Sequence, residues 1–156
     1  MLSDEEMFKM AHEYARNNST CIKVAVGAAI DDNNGNIVLS CNMGEHNCKQ
    51  YNECYKAKVT GVYESVEWTR KYCQAIHAEV NMINILENSP VSKDIYNNPL
   101  YVTRYPCYNC AMKIVEKNFK FIKYSGKQEI SEEVKSLFDK NNIKYEWFPQ
   151  YDFEFI

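Results

Sequence analysis

The sequence predicts an α/β fold in which helices cover both faces of a sheet. Two observations carry that expectation. Segments with strand patterning alternate with segments of helical spacing along the chain, an order that sets helices against both sides of a sheet. At 156 residues, 46% hydrophobic and 25% charged, the chain also has the size and composition of one compact domain, residues 1–156, with a core of its own.

Taken in order, Ser3-Asp4-Glu5-Glu6 is a capping box, in which a serine and the glutamate three later satisfy orphan N–H groups at a helix start. Met7, Met10, Ala11, Tyr14 and Ala15 recur at helical spacing, so the first helix runs to about Arg16 and ends at Asn17-Asn18-Ser19. Val24, Val26, Ala28 and Ile30 alternate as in a strand. Asp31 to Gly35 is dense in turn formers, and Ile37-Val38-Leu39 supplies a hairpin partner. From Asn42 to Gln74 the periodicity fades; so long an irregular connection is functional or is held by some other means. A second helix starts near His77, with Val80, Ile83 and Leu86 inward, and stops before Asn88-Ser89-Pro90. Leu100 to Thr103 is a short strand, and a third helix follows Pro106, with Cys110, Ile114 and Val115 inward, to around Asn118. Phe121 to Tyr124 reads as a strand, Ser131 to Lys140 as a helix, and Ile143 to Trp147 as a last strand.

The formal net charge is −3, with lysines scattered among glutamates. A nucleic-acid binder usually carries a basic balance or a dense basic stripe, so the composition weighs against a polymer partner. No stretch approaches the roughly eighteen uninterrupted apolar residues of a membrane helix. The acidic, helix-like start from Met1 to Glu6 is unlike a signal or transit peptide, and nothing in the sequence directs the protein out of the cytoplasm. Seven cysteines, an odd number, do not suggest a disulfide framework. In a reducing compartment such cysteines bind metal, catalyse or fill core space.

Two segments stand out: His77-Ala78-Glu79 and Pro106-Cys107-Tyr108-Asn109-Cys110. Cys-x-x-Cys puts two sulfurs on one helical turn, close enough to share an ion. Zinc takes thiolate and imidazole together, and a catalytic site has three protein ligands with one position left for water. Cys107, Cys110 and His77 supply those three. Both segments fall at predicted helix starts, whose positive end favours thiolate over thiol. Two residues beyond the histidine, Glu79 can reach a water on the metal without being a ligand. Zinc lowers the pKa of such a water from 15.7 to about 7, and a carboxylate beside it can take the proton and pass it on.

H-x-E followed by P-C-x-x-C is the signature of zinc nucleobase deaminases, and the likeness extends further. Val24 to Ile30 resembles the first-strand segment of the cytidine deaminase superfamily. Cys73-Gln74-Ala75-Ile76, His77 to Ile83, and Leu100 to Cys107 continued by Cys110-Ala111 resemble the deoxycytidylate deaminase pattern. The resemblance spans roughly residues 1 to 126. It implies a three-layer α/β/α sandwich around a five-stranded mixed sheet, with zinc between two helix N-termini. It also implies hydrolysis of dCMP to dUMP and ammonia, supplying thymidylate synthesis. The attack falls at C4 of cytosine, while Glu79 protonates N3 and then serves the leaving amine. By the same resemblance the Ala78 backbone contacts the base, Asn42 contacts the sugar, and Tyr124 borders the nucleotide. The assembly implied is a homo-oligomer, a hexamer in many relatives. The sequence departs from the family in one loop, which reads Cys41-Asn42-Met43-Gly44 in place of Gly-Tyr-Asn-Gly.

Some relatives hold a second, structural zinc with residues from the chain start, the long loop and the segment before the catalytic histidine. Cys21, Cys54 and Cys73 occupy those regions, and Cys48 or His46 would complete the set; otherwise they are reduced core or surface cysteines. Lys56, Lys58, Arg70, Lys71 and Arg104 are the cations available to a phosphate. His12 is expected to face solvent, and Trp68 and Trp147 to serve the core or an interface. Three other readings stand beside the dCMP deaminase: one acting on another cytosine nucleoside or nucleotide, one acting on a base within RNA or DNA, and a silent zinc-stabilised binding protein. The acidic balance speaks against the polymer substrate. Glu79 speaks against the silent protein, because structural zinc has no use for an acid–base group.

Overall fold

The computed structural model describes residues 2–44, 46–62 and 76–153. Helix α1 (Asp4–Asn18) opens on the expected capping box: the Glu6 N–H donates to Ser3 Oγ at 3.2 Å while the Glu6 side chain accepts from the Ser3 backbone. The hairpin β1 (Gly27–Asp31) and β2 (Ile37–Cys41) follows, turned by Asp31 and Asp32 carboxylates that accept from the N–H groups of Asn33, Asn34 and Asn36. A short helix α2 (Tyr55–Thr60) precedes α3 (Ala78–Glu87). A 3₁₀ turn over Lys93–Asn97 leads into β3 (Leu100–Val102) and α4 (Tyr108–Glu116). The chain closes with β4 (Phe121–Ser125), α5 (Glu132–Lys140) and β5 (Lys144–Phe148).

The five strands form one mixed sheet in the order β2-β1-β3-β4-β5. β1 runs antiparallel to both β2 and β3, whereas β3, β4 and β5 are parallel. Successive strand residues point to opposite faces, and the two cores follow that alternation. Ala28, Ile30, Leu100, Val102, Ile122 and Tyr124 pack with Met82, Ile114 and Phe138 of α3, α4 and α5. Ala29 and Tyr101 face the other way, onto Met7, Phe8 and Ala11 of α1. The three-layer α/β/α sandwich with a five-stranded mixed sheet is therefore as expected. Gly27 lets α1 sit on β1: a Cβ there would lie 1.9 Å from the Ala11 carbonyl oxygen.

Several boundaries differ from expectation for local reasons. β1 starts at Gly27 rather than Val24 because the Asn42 side chain, not a neighbouring strand, takes up the Val24 carbonyl and the Val26 N–H. α2 is six residues long, too short to show a helical period, and it stops at Gly61 with φ 74°. His12 does not face open solvent; its ring stacks on Phe153 with centroids 4.6 Å apart. Trp147 packs against the core and donates from Nε1 to the Gly126 carbonyl at 2.9 Å. Trp68, Arg70, Lys71 and Cys73 lie outside the described residues. Among the described residues no helix is long and apolar enough to cross a membrane.

Candidate metal centre

Both signature segments sit at helix starts. His77 is the N-cap residue of α3 and Cys107 that of α4. The Cys110 N–H donates to Cys107 Sγ at 3.5 Å, so both sulfurs share the first turn of α4, where the helix dipole favours negative charge. His77 Nδ1 stands 3.2 Å from Cys110 Sγ and 3.7 Å from Cys107 Sγ. All three donor atoms lie within 4.8 Å of one another, and no other three His, Cys, Asp or Glu donors gather so closely among the described residues.

This donor set fits zinc in chemistry and in spacing. Tetrahedral zinc with bonds of about 2.05 Å to nitrogen and 2.3 Å to sulfur holds those two atoms about 3.6 Å apart. The observed separations of 3.2 and 3.7 Å bracket that value. The charges are also partly prepared. A hydrogen bond from the Cys110 thiol, and another involving His77, draw the Cys107 pKa down to about 4 against the effect of burial. Cys110 keeps the shared proton and is pushed well up, first by that same bond and then by burial and the Glu79 charge. The bond to Cys107 raises His77, while burial and the charge of Arg104 pull it down.

Glu79 lies in the first turn of α3 and is 3% exposed. Burial pushes its carboxyl up to about 7, with the His77 charge opposing the shift. A side-chain hydrogen bond joins it to Cys110, yet it stands outside the three-ligand group. The centre therefore combines three donors positioned for a metal with a buried carboxyl whose pKa is raised to about 7.

The family model for the cytidine and deoxycytidylate deaminase zinc-binding region matches residues 1–125. The chain belongs to this deaminase family. Membership makes it a zinc-binding hydrolase, and His77, Cys107 and Cys110 are the group positioned for the metal. Among solved structures it is similar to the dCMP deaminase of cyanophage S-TIM5 in apo form, at 21% identity and a TM-score of 0.63 over 93% of this chain and 96% of that one. The same enzyme in complex with dCMP and dUMP gives 20% identity and a TM-score of 0.62 over 92% and 95%. A guanine deaminase from Nitrosomonas europaea, at 11% identity, gives a TM-score of 0.56 over 94% of this chain and 78% of that one. These likenesses concern the fold, which thus carries both pyrimidine and purine deaminases. No curated protein sequence matches the chain significantly.

The other expected site residues of the deaminase are placed unevenly. Ala78 is buried, its carbonyl accepting from Ser40 Oγ at 2.8 Å. Its N–H belongs to the first turn of α3, where the helix itself offers no acceptor. Asn42 is 6% exposed and largely committed to the protein. Its Oδ1 accepts from Ser19 Oγ and the Val26 N–H, and its Nδ2 donates to the Val24 carbonyl. Tyr124 lies otherwise than expected: its ring is fully buried in the core and its hydroxyl donates to Glu129, so it presents no surface to a nucleotide. Cys21, Cys48, Cys54 and His46 do not bring three donors together among the described residues. The Tyr55 N–H donates to Cys48 Sγ, while His46 packs against the rings of Tyr51 and Tyr55. Of the cations, Lys58 pairs with Glu53, Lys56 is buried, and Arg104 is electrostatically coupled to His77.

Two residues that sequence reasoning assigned no role complete the surroundings. Ser40 ties β2 to the first residue of α3, and Asn81 ties the start of α3 to the end of β2. Asn81 stood inside the quoted motif, but its partners are backbone carbonyls, which no residue pattern identifies.

Proposed function

We propose that the protein hydrolyses dCMP to dUMP and ammonia, supplying thymidylate synthesis. One observation carries the reading: a His–Cys–Cys donor set with zinc spacing has a buried carboxyl, pKa about 7, against it. When bound, zinc supplies the Lewis acidity that lets a water act as nucleophile near neutral pH. Glu79 takes one proton of the attacking water and delivers it to N3 of the cytosine; it then collects the remaining proton from the new C4 hydroxyl and passes it to the amine, which leaves as ammonia while C4 becomes a carbonyl. A carboxyl buried beside the metal site, and outside its three donors, is placed to accept and return a proton. The Ala78 N–H is available to the base, Asn42 borders the sugar through its remaining N–H, and Arg104 grips the phosphate.

The choice of dCMP is supported by the near-complete mutual coverage with the cyanophage enzyme, whose complex holds dCMP and dUMP. The acidic net charge of −3 favours a small substrate over a polymer. The deciding experiment incubates the zinc-loaded protein with dCMP, CMP, deoxycytidine, cytidine, guanine and single-stranded oligonucleotides, and follows ammonia release. Fastest turnover of dCMP is expected. Equal turnover of deoxycytidine removes the nucleotide assignment, and release from guanine or oligonucleotides alone replaces the substrate class.

A further inference from the structure

The side chain of His77 is exposed and makes no capping hydrogen bond at its own helix start. Its ring is held on one side by Cys107 and Cys110 alone. Where the ring can reach those sulfurs depends also on the backbone beside it, and that backbone is clamped by hydrogen bonds to the end of β2. Ile76, the residue before it, exchanges both backbone hydrogen bonds with Met43 in an isolated antiparallel bridge, at 3.1 and 2.9 Å. The Asn81 carboxamide then closes over the same turn. Its Nδ2 donates to the Cys41 carbonyl at 2.7 Å and to the Ile76 carbonyl at 3.2 Å.

We propose that Asn81 is a positioning residue for the metal centre, locking the Ile76–His77 turn to the end of β2 so that His77 meets Cys107 and Cys110. This rests on the metal-site reading above. An asparagine four residues into a helix ordinarily satisfies its amide on solvent or on its own helix. Here one hydrogen leaves the helix for a strand 40 residues earlier in the chain, and the other reaches the residue next to the ligand. With Met43 and Asn81 both donating, the Ile76 carbonyl has its two acceptor positions filled. The centre is thereby referred to the sheet: β2 pairs with β1, β1 with β3, and the loop after β3 carries Cys107. Helix α3 delivers His77 from one side and α4 delivers both sulfurs from the other, so a small turn of the Ile76–His77 backbone opens the imidazole–sulfur distances. Partners behind a ligand act through that geometry, and losing one costs typically 10–100-fold in metal affinity or activity.

The test uses Asn81→Asp, which keeps the shape and removes both donated hydrogens, and Asn81→Ala, which removes them without setting a carboxylate against two carbonyls. Zinc affinity is measured by competition with a chromophoric chelator. The Co²⁺-substituted proteins are compared by their thiolate charge-transfer and d–d absorption, and melting temperatures are taken on the metal-free proteins. Both variants are expected to bind zinc 10–100-fold more weakly and to show altered Co²⁺ bands, with a loss of metal-free stability smaller than the loss of zinc affinity. Wild-type affinity and spectrum in Asn81→Ala overturn the role, as does a fall in affinity matched by an equal loss of stability in the metal-free protein. If Asn81→Asp does not fold, Asn81→Ala decides by the same readouts. A wild-type protein that takes up neither Zn²⁺ nor Co²⁺ overturns the metal centre itself, and the role of Asn81 with it.

Discussion

Replacing Glu79 by glutamine separates the two things that burial of this carboxyl does. Glutamine keeps the shape and is neutral at every pH. In the metal-free protein the carboxyl is raised from 4.5 to about 7, chiefly by burial. A folded-state pKa raised above the unfolded value means that stability is fully present below about pH 4.5 and is lost as pH rises through 7. At about 1.36 kcal/mol per pKa unit, the charged form lowers stability by roughly 3 kcal/mol above pH 7. Glu79→Gln escapes that loss. Urea unfolding of chelator-treated proteins is therefore expected to give equal stabilities near pH 4.5, and a variant more stable by roughly 3 kcal/mol at pH 8. Activity moves the opposite way. A lost acid–base group lowers the rate by roughly 10²–10⁴, about 3–5 kcal/mol of barrier, with zinc retained. A stability difference that does not change with pH refutes the burial argument. A zinc-loaded variant within tenfold of wild type refutes the proton shuttle.

Three further outcomes follow from the same structure. Arg104→Ala is expected to raise KM for dCMP roughly tenfold or more, the size of one charged hydrogen bond, while deoxycytidine kinetics stay unchanged; steady-state kinetics on the two substrates check it. Asp4 bonds to Lys123 Nζ at 2.8 Å and accepts from the Tyr101 hydroxyl; burial works upward on its pKa, but these partners outweigh it and lower it. Asp4→Asn should therefore lose about 1 kcal/mol or less at neutral pH, with the gap to wild type closing as pH falls below the ordinary carboxylate range, read by thermal melts from pH 7 to 3. Elemental analysis of protein purified without added metal should give at least one zinc per chain, for the donor set assembled among the described residues; two, the number expected from the second cysteine set, would mean that Cys73 draws the loop cysteines together, and one would remove the second site.

The metal centre was legible because its chemistry is local. Cys107 and Cys110 share one turn, His77 and Glu79 share another, and the two segments together, in this order, resemble a known signature where either alone would be weak. Most strands and helices were legible for the same reason, since their apolar periods are long enough to register. What escaped depends on contacts between distant backbone atoms. Asn42 displaces the start of β1 by bonding to Val24 and Val26, and Asn81 reaches Cys41, neither of which leaves a trace in residue spacing. Tyr124 was misplaced because an aromatic at the C-terminal end of a strand suits a ligand wall and a core equally; alternation along β4 sends it inward, beside Ile122.

X-ray absorption at the zinc edge tests the centre most directly. One nitrogen from His77, two sulfurs from Cys107 and Cys110, and one light scatterer that is not protein are expected around the catalytic zinc. A shell of four protein donors there, or one with three or more sulfurs, would contradict the account.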